Sequence, residues 1–308
     1  MTAPTTTPPS TSPTTPRKTG ARRVPRATSG TGEPVLRAGP LAIGGLIVAA
    51  ILSIFPLYWM VVVASRTSDA AYSWPPHFLP GGNLGENIQR VLENPDAAIL
   101  RGLMNSFIAS GTITITTVFF GALAGFAFAK LRFRGKNALL LSIVLTMMVP
   151  IQLGIVPLYI MMDEFGWLND IKAVTVPFLI SGFGIFLMRQ YSIQAIPDEL
   201  IEAARVDGCS TWRIFWNVAA PALRPAAGVL GLLTFMQYWN DFFWPFIVLA
   251  DPGNPTVQIS LRTLNSAYHQ DLSQIFAGTV IATLPLVIIF MFFFRQIISG
   301  IMEGATKG

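Results

Sequence analysis

Residues 196–225 read IPDELIEAARVDGCSTWRIFWNVAAPALRP and form a polar, amphipathic stretch between two apolar segments. The first part predicts a short helix over 197–206, because proline is favoured in a first turn and early acidic residues complement the helix dipole. Gly208 is the stop signal of this helix. Aromatic residues at three- and four-residue spacing predict a second helix over 211–219. Such a pair of helices would present a surface to another protein or to the membrane interface.

The chain on either side of this stretch is apolar enough to cross a membrane. Of 308 residues, 52% are apolar and 12% are charged, unlike a soluble domain. A helix needs about 20 apolar residues to cross a core of roughly 30 Å. Six segments meet or approach this length: 41–64, 106–129, 138–162, 173–188, one starting near Pro225, and 275–294. We expect an all-α integral membrane protein, with a fifth span that must extend or stop short.

The basic residues predict the orientation, because cytoplasmic flanks of spans collect Lys and Arg. Of the 21 basic residues, 16 fall on the side that holds both termini and the connections after spans two and four. The other side holds Arg66, Arg90, Arg101, Lys172 and Arg262. Both termini are therefore predicted to be cytoplasmic. Residues 1–38, dominated by Thr, Pro and Ser, are expected to be a disordered cytoplasmic tail, and residues 39–308 the transmembrane domain.

The composition argues against several classes of function. One cysteine, Cys209, and two histidines, His77 and His269, are too few for a zinc site. The six apolar segments contain no Asp, Glu, Lys or Arg, which argues against a proton- or sodium-coupled carrier. No GxxxxGK[ST] phosphate loop occurs, and no cluster of polar residues indicates an enzyme acting on lipids. Energy for active transport would have to come from a partner.

A motif inside residues 196–225 makes the function more specific. In order it consists of Glu202-Ala203-Ala204, Asp207-Gly208, Phe215 and Pro221. This motif is similar to the Glu-Ala-Ala loop of ATP-binding-cassette (ABC) importer permeases; Cys209 and Ala220 depart from the usual pattern but stay small and apolar. The resemblance implies a coupling helix that docks on an ATPase subunit through Glu202, Ala203, Ala204, Asp207, Gly208 and Pro221. The alternative is an ordinary interfacial helix pair in which Gly and Pro act only as caps.

Other stretches resemble the carbohydrate branch of these permeases, in particular subunits like the maltose permease G protein. They are Asn105-Ser106, the basic turn 130–135, Val149-Pro150-Ile151-Gln152 and residues 239–245. The resemblance covers about residues 40 to 308. It implies a six-helix bundle of the type I ABC importer kind, with residues 39–308 as the permease domain and a cytoplasmic coupling-helix loop.

Trp239, Asn240 and Asp241 are candidates for contact with a sugar in the transport pathway. Aromatic rings stack on sugar faces, and Asn and Asp side chains bond to hydroxyl groups. The alternative is an aromatic belt at the membrane interface, followed by a helix cap.

The resemblance also implies the partners of the chain. These are a second permease subunit in a heterodimer, an ABC ATPase dimer that binds ATP and Mg, an extracytoplasmic sugar-binding protein and membrane lipid. The chain itself is expected to bind no cofactor, metal or nucleic acid and to catalyse no reaction, and to lie in the cytoplasmic membrane. The outer loop 66–102 is expected to meet the binding protein, and residues 304–308 the ATPases. A permease for peptide, amino acid or phosphate is the nearest rival, and an ATP-independent carrier is a more distant one.

Overall fold

The computed structural model describes residues 39–265 and 271–305, with side chains as far as Phe294, and these residues form helices joined by turns. The predicted tail, 1–38, and the last three residues lie outside the described residues. By internal contacts the chain divides into two compact units, Met1–Ile51 and Leu52–Gly308. Of the described residues, 39–51 belong to the first unit and all the others to the second.

Fifteen α-helices occur in the described part of the chain. They are α1 Pro40–Ala64, α2 Ser68–Ala71, α3 Leu84–Glu93, α4 Ile99–Lys130, α5 Lys136–Met148, α6 Ile155–Glu164, α7 Ile171–Thr175, α8 Gly182–Ala195, α9 Asp198–Val206, α10 Thr211–Ile214, α11 Ala220–Ala222, α12 Arg224–Trp239, α13 Phe243–Val248, α14 Val257–Leu264 and α15 Leu272–Ala305. Two 3-10 turns, Ile151–Gly154 and Val176–Phe178, precede α6 and α8, and a π-helical turn, Phe215–Ala219, joins α10 to α11.

The predicted count of six spans agrees with these helices. Four stretches are long and apolar enough to cross a membrane: Pro40–Ala64, Ile99–Lys130, Ile171–Ala195 and Leu272–Phe294. Two bent pairs of helices bring the number to six if each pair is one span. The fifth predicted span stops short, because α12 has 16 residues and therefore rises about 24 Å.

Proline accounts for the first bend. The third predicted span is broken between α5 and α6, where the axis turns by 89°. Pro150 has no N–H to continue the helical hydrogen bonds, and the residue before a proline avoids the α conformation. Val149 accordingly has extended backbone angles, with φ −81° and ψ 119°. The break therefore occurs at the Val149-Pro150-Ile151-Gln152 stretch.

The long helix α4 is the centre of the packing, with α8 and α12 along its sides. Gly125 allows α8 to approach closely, because a Cβ atom there would lie 2.7 Å from the backbone N of Arg189. Gly121 meets the backbone of Gly184 in the same way, with a Cβ–O distance of 3.2 Å. The small residues of α4 thus allow tight helix packing.

The two ends of α4, here named the Ile99 end and the Lys130 end, carry different parts of the chain. At the Ile99 end lie α2, α3, α13 and α14, together with the basic residues Arg66, Arg90, Arg101, Lys172 and Arg262. At the Lys130 end lie α9 to α11. The grouping of these five basic residues on one side is therefore confirmed, while the side of the membrane on which each end lies stays a prediction.

Candidate coupling loop and membrane cavity

The helix α9 lies against the Lys130 end of α4 through one apolar side. Ile201 is buried and Ala204 is half-buried, in a cluster with Phe126 of α4 and Met188 of α8. The N-terminus of α9 is held by an ion pair, because Lys130 Nζ donates to Asp198 Oδ1 at 2.7 Å. The carboxylate also lies in the first turn of the helix, where it complements the helix dipole.

The C-terminus of α9 explains the position of Gly208. The N–H of Cys209 donates to the carbonyl of Ala204 at 2.9 Å, and the N–H of Gly208 donates to that of Arg205 at 3.0 Å. This bond pair is the Schellman motif, which needs a left-handed residue after the helix. Gly208 has φ +75° and meets this need without a side-chain clash. The capping role in the alternative interpretation is therefore observed for Gly208.

The second helical stretch carries an aromatic cluster. Phe215 is buried and its ring lies 5.7 Å from that of Phe126, 6.0 Å from that of Trp212 and 5.2 Å from that of Trp216. The two tryptophans remain about half exposed. The predicted helix over 211–219 becomes π-helical from Phe215, where the Ala220 N–H donates to the Phe215 carbonyl.

The loop leaves most of the predicted docking residues accessible. Glu202, Ala203, Asp207, Gly208 and Pro221 are exposed, and Ala204 is half-buried. The first four lie in or just after α9, while Pro221 lies on α11. Capping by Gly208 leaves its outer surface free, so the observed cap is compatible with docking. Docking itself stays a prediction.

A second candidate site is a cavity of about 200 Å³ between two interrupted helices. The break after α5 and the end of α12 supply its walls. Its polar lining consists of Gln152, Gln237, Tyr238 and Asp241, and its aromatic lining of Phe178, Phe243 and Trp244. Interrupted membrane helices commonly form solute sites, because their ends expose polar groups inside the protein. Amides, a carboxylate and aromatic rings are together suited to a polyhydroxylated solute.

The three predicted sugar contacts have different surroundings. Trp239 is 1% exposed and stacks on Phe235, and its indole N–H donates to the Ala282 carbonyl at 3.1 Å. Asn240 is exposed, and its Nδ2 donates to the Met236 carbonyl at 2.8 Å. Asp241 lines the cavity and accepts the Phe243 N–H at 3.2 Å. The structure thus places only Asp241 of the three in the cavity, and sugar contact stays a prediction.

Trp244, five residues after Trp239, lines the cavity that Trp239 does not reach. Its indole N–H donates to the Ala173 carbonyl at 2.9 Å, which leaves the ring against Phe178 at 6.2 Å. Gln237 and Tyr238 were missed by the sequence interpretation. The signal that could have found them is the pair of interrupted spans, whose ends meet here.

Residues 99–302 match the family described as binding-protein-dependent transport system inner membrane component. The chain belongs to this family. The match runs from the first residue of α4 into α15 and includes both residues 196–225 and the residues that line the cavity. This chain is therefore a membrane permease of an ABC importer, and the motif in residues 196–225 was a correct indicator of its family.

Individual relatives of this permease carry solute names. The lactose transport system permease protein LacG of Rhizobium radiobacter is 34% identical over 262 residues, which are 85% of this chain and 94% of that protein. The arabinooligosaccharides transport system permease protein AraQ of Bacillus subtilis is 33% identical over 70% of this chain and 77% of that protein. The sn-glycerol-3-phosphate transport system permease protein UgpE of Yersinia pestis is 28% identical over 84% of this chain and 94% of that protein.

Solved structures share the fold of this permease. A chain from a bacterial ABC transporter involved in the import of the acidic polysaccharide alginate superposes with a TM-score of 0.70 at 22% identity, over 83% of this chain and 96% of that chain. A chain from the alginate transporter in complex with a periplasmic protein bound to an alginate pentasaccharide gives a TM-score of 0.57 at 15% identity. These similarities establish the ABC importer permease fold.

Proposed function

We propose that this chain forms half of the membrane pathway of an ATP-driven importer for a neutral sugar. Support comes from two relatives above 30% identity, which are named for lactose and for arabinooligosaccharides. The cavity next to the broken span is the site where we place the sugar. Its amides and Asp241 would bond to hydroxyl groups, and its aromatic rings would contact the apolar faces of the sugar.

The cavity also favours a neutral solute over a phosphate ester. The UgpE relative is named for sn-glycerol 3-phosphate, which is an anion. Sites for phosphate usually contain Arg, Lys or backbone N–H donors. None of the ten residues that line this cavity is basic, and one of them is Asp241. A phosphate in this position would face a carboxylate without a compensating cation.

The energy for transport would come from partner subunits. In this proposal both termini and α9 face the cytoplasm, and Glu202, Ala203, Ala204, Asp207, Gly208 and Pro221 contact an ATPase dimer that holds ATP and Mg. A second permease completes the pathway, and an extracytoplasmic sugar-binding protein delivers the solute at the Ile99 end. The chain itself catalyses no reaction. Alternating access follows when the two permeases shift between two packings.

The test is solute uptake by the complete importer, purified with its partner subunits and reconstituted in liposomes. Lactose, arabinooligosaccharides and sn-glycerol 3-phosphate are offered separately, each with ATP inside. Uptake of a saccharide, with no uptake of the phosphate ester, is the expected result. Uptake of the phosphate ester alone would contradict the proposal.

The cavity is tested with Gln152→Ala. Loss of one hydrogen bond to a sugar hydroxyl should raise the apparent KM about fivefold, the effect of about 1 kcal/mol. Gln194→Ala is the matched control, because Gln194 is an exposed residue of α8 outside the cavity. An unchanged KM in Gln152→Ala would remove this residue from the proposed site.

A further inference from the structure

The basic turn after α4 contains a lysine whose position the family match does not explain. Lys130 is the last residue of α4, and its side chain is only 6% exposed. Its ammonium group bonds to Asp198, the first residue of α9, which is 68 residues further along the chain. The side chain of Asp198 is 78% exposed. The pair thus links a buried cation on the central span to an exposed anion on the coupling helix.

A second lysine, Lys136, follows this turn as the first residue of α5 and makes different contacts. Lys136 Nζ lies 3.1 Å from the carbonyl of Leu131 and 3.5 Å from that of Ala129, so it satisfies carbonyls at the end of α4. The bond and charge of Lys130 lower the pKa of Asp198, and Arg132 adds a smaller effect. Asp198 is therefore an anion at neutral pH, and the two cations that lower its pKa, Lys130 and Arg132, both belong to the basic turn.

Two kinds of contact join α9 to α4. Ile201 of α9 belongs to an apolar cluster that includes Phe126 of α4, and Phe215 of the π-helical turn packs on Phe126. Apolar contacts of this kind stabilise association without fixing direction. The bond between Lys130 and Asp198 is directional and joins two charged groups, which makes it stronger than a neutral hydrogen bond. The apolar cluster thus holds α9 near the end of α4, and the ion pair sets where its N-terminus lies.

We propose that Lys130 is a positioning residue that fixes α9 to the end of α4, so that a displacement of α9 moves this span. The inference rests on the proposed coupling function of α9. A pull on α9 would reach α4 directly, and α4 packs along α8 and α12, which contributes to the cavity wall. Without the ion pair, α9 would slide over its apolar contacts, and only part of its displacement would be passed on to α4.

The unequal burial of the two partners determines the best variants. Lys130→Met keeps the buried stem, removes the charge and leaves Asp198 in water, so the fold should tolerate it. Lys130→Glu faces Asp198 with a second carboxylate and should be the most harmful single change. Combining Lys130→Glu with Asp198→Lys restores opposite charges. Arg134→Met is the control, because it removes an exposed basic residue of the same turn.

The first readout is the number of ATP molecules hydrolysed per solute molecule imported, measured on the reconstituted importer. We expect Lys130→Met to raise this ratio about fivefold, as suits a pair with one exposed partner, with the amount of assembled complex unchanged. The double variant Lys130→Glu, Asp198→Lys should reverse at least half of the rise in this ratio that Lys130→Glu alone causes. Wild-type ratios in Lys130→Met and Lys130→Glu, or loss of assembly in Lys130→Met, would overturn the proposal.

The second readout needs no solute and therefore separates this proposal from the proposed function. Spin labels at Val206→Cys and Asn137→Cys, in a Cys209→Ala background, report the distance between α9 and the start of α5, which directly follows the basic turn. We expect one narrow distance distribution in the wild type and a broadened one in Lys130→Met. A narrow distribution in both would overturn the positioning role, even in an importer that takes up no sugar. A wild-type importer that shows the narrow distance distribution but takes up no saccharide would instead contradict the proposed solute.

Discussion

The two ends of α4 are held in different ways. At the Ile99 end, polar groups add to an apolar cluster and tie the helix to the segment that leads into α14. Arg101 Nη1 bonds to the Gly253 carbonyl at 2.5 Å, and Asn105 Nδ2 to the Pro255 carbonyl at 2.8 Å. Ser106 Oγ accepts the Val257 N–H at 2.9 Å. At the Lys130 end, an apolar cluster and one ion pair make the contacts described above.

This difference indicates which end can move as a unit. Several hydrogen bonds of fixed geometry hold the Ile99 end, and each must break before a segment shifts. Apolar surfaces at the Lys130 end can slide with little loss of contact area. We therefore expect the Ile99 end to act as a frame and the Lys130 end to carry motion. The Asn105-Ser106 pair of the sequence resemblance belongs to the frame.

The largest effect should come from crowding the frame. Gly102→Val places a Cβ atom against Ser260 Oγ and 3.1 Å from the Thr256 carbonyl, where no space exists. The fold should lose about 3 kcal/mol or more, as in severe overpacking. Thermal unfolding in detergent and the yield of folded protein measure the loss.

The same substitution at Gly111 of α4 is the matched control. A Cβ atom at that position meets nothing within 4 Å. Equal losses in the Gly102 and Gly111 variants would show that helix propensity, and not the contact with α14, causes the effect.

A medium effect is expected at the cap of α9. Gly208→Ala puts a side chain at φ +75°, which costs about 1 to 2 kcal/mol and should fray the end of α9. Transport should fall while membrane insertion stays intact. Gly208→Asn is the comparison, because Asn tolerates this conformation better. Higher transport activity in Gly208→Asn than in Gly208→Ala would show that the conformation of the cap is important. An equal loss of transport in both variants would indicate direct contact of the glycine with the ATPase.

The smallest effect is expected at the ion pair of the frame, Arg90 with Asp271 at 2.5 Å. Burial raises the pKa of Asp271, but the bonds from Ser273, the Gln274 N–H and Arg90 outweigh it, and the pKa is lowered. Because the pKa of Asp271 is lower in the folded chain than in the unfolded chain, the ionised carboxylate stabilises the fold at any pH above the unfolded pKa. That contribution is lost as the pH falls below about 4.

Asp271→Asn should therefore cost about 1 kcal/mol or less at pH 7, because Arg90 is partly exposed. The difference from the wild type should shrink as the pH falls below about 4. Thermal unfolding in detergent from pH 3 to pH 7 measures it. A difference that grows toward low pH would contradict this sign.

The sequence determined the features that depend on local composition. Six spans followed from apolar length, because transfer of a helix into lipid depends on its own residues. The break at Pro150 followed from the missing N–H. The cap at Gly208 followed from its position after a helical pattern. The motif in residues 196–225 was sufficient to identify the family.

Only the tertiary structure decided which faces of the helices meet. Trp239 and Trp244 both follow apolar residues near the end of a span, yet Trp239 is buried against α15 and Trp244 lines the cavity. The pairing of Lys130 with Asp198 joins positions that have no pattern in common. Such contacts depend on the rotation and crossing of whole helices, which the packing of many distant side chains determines together.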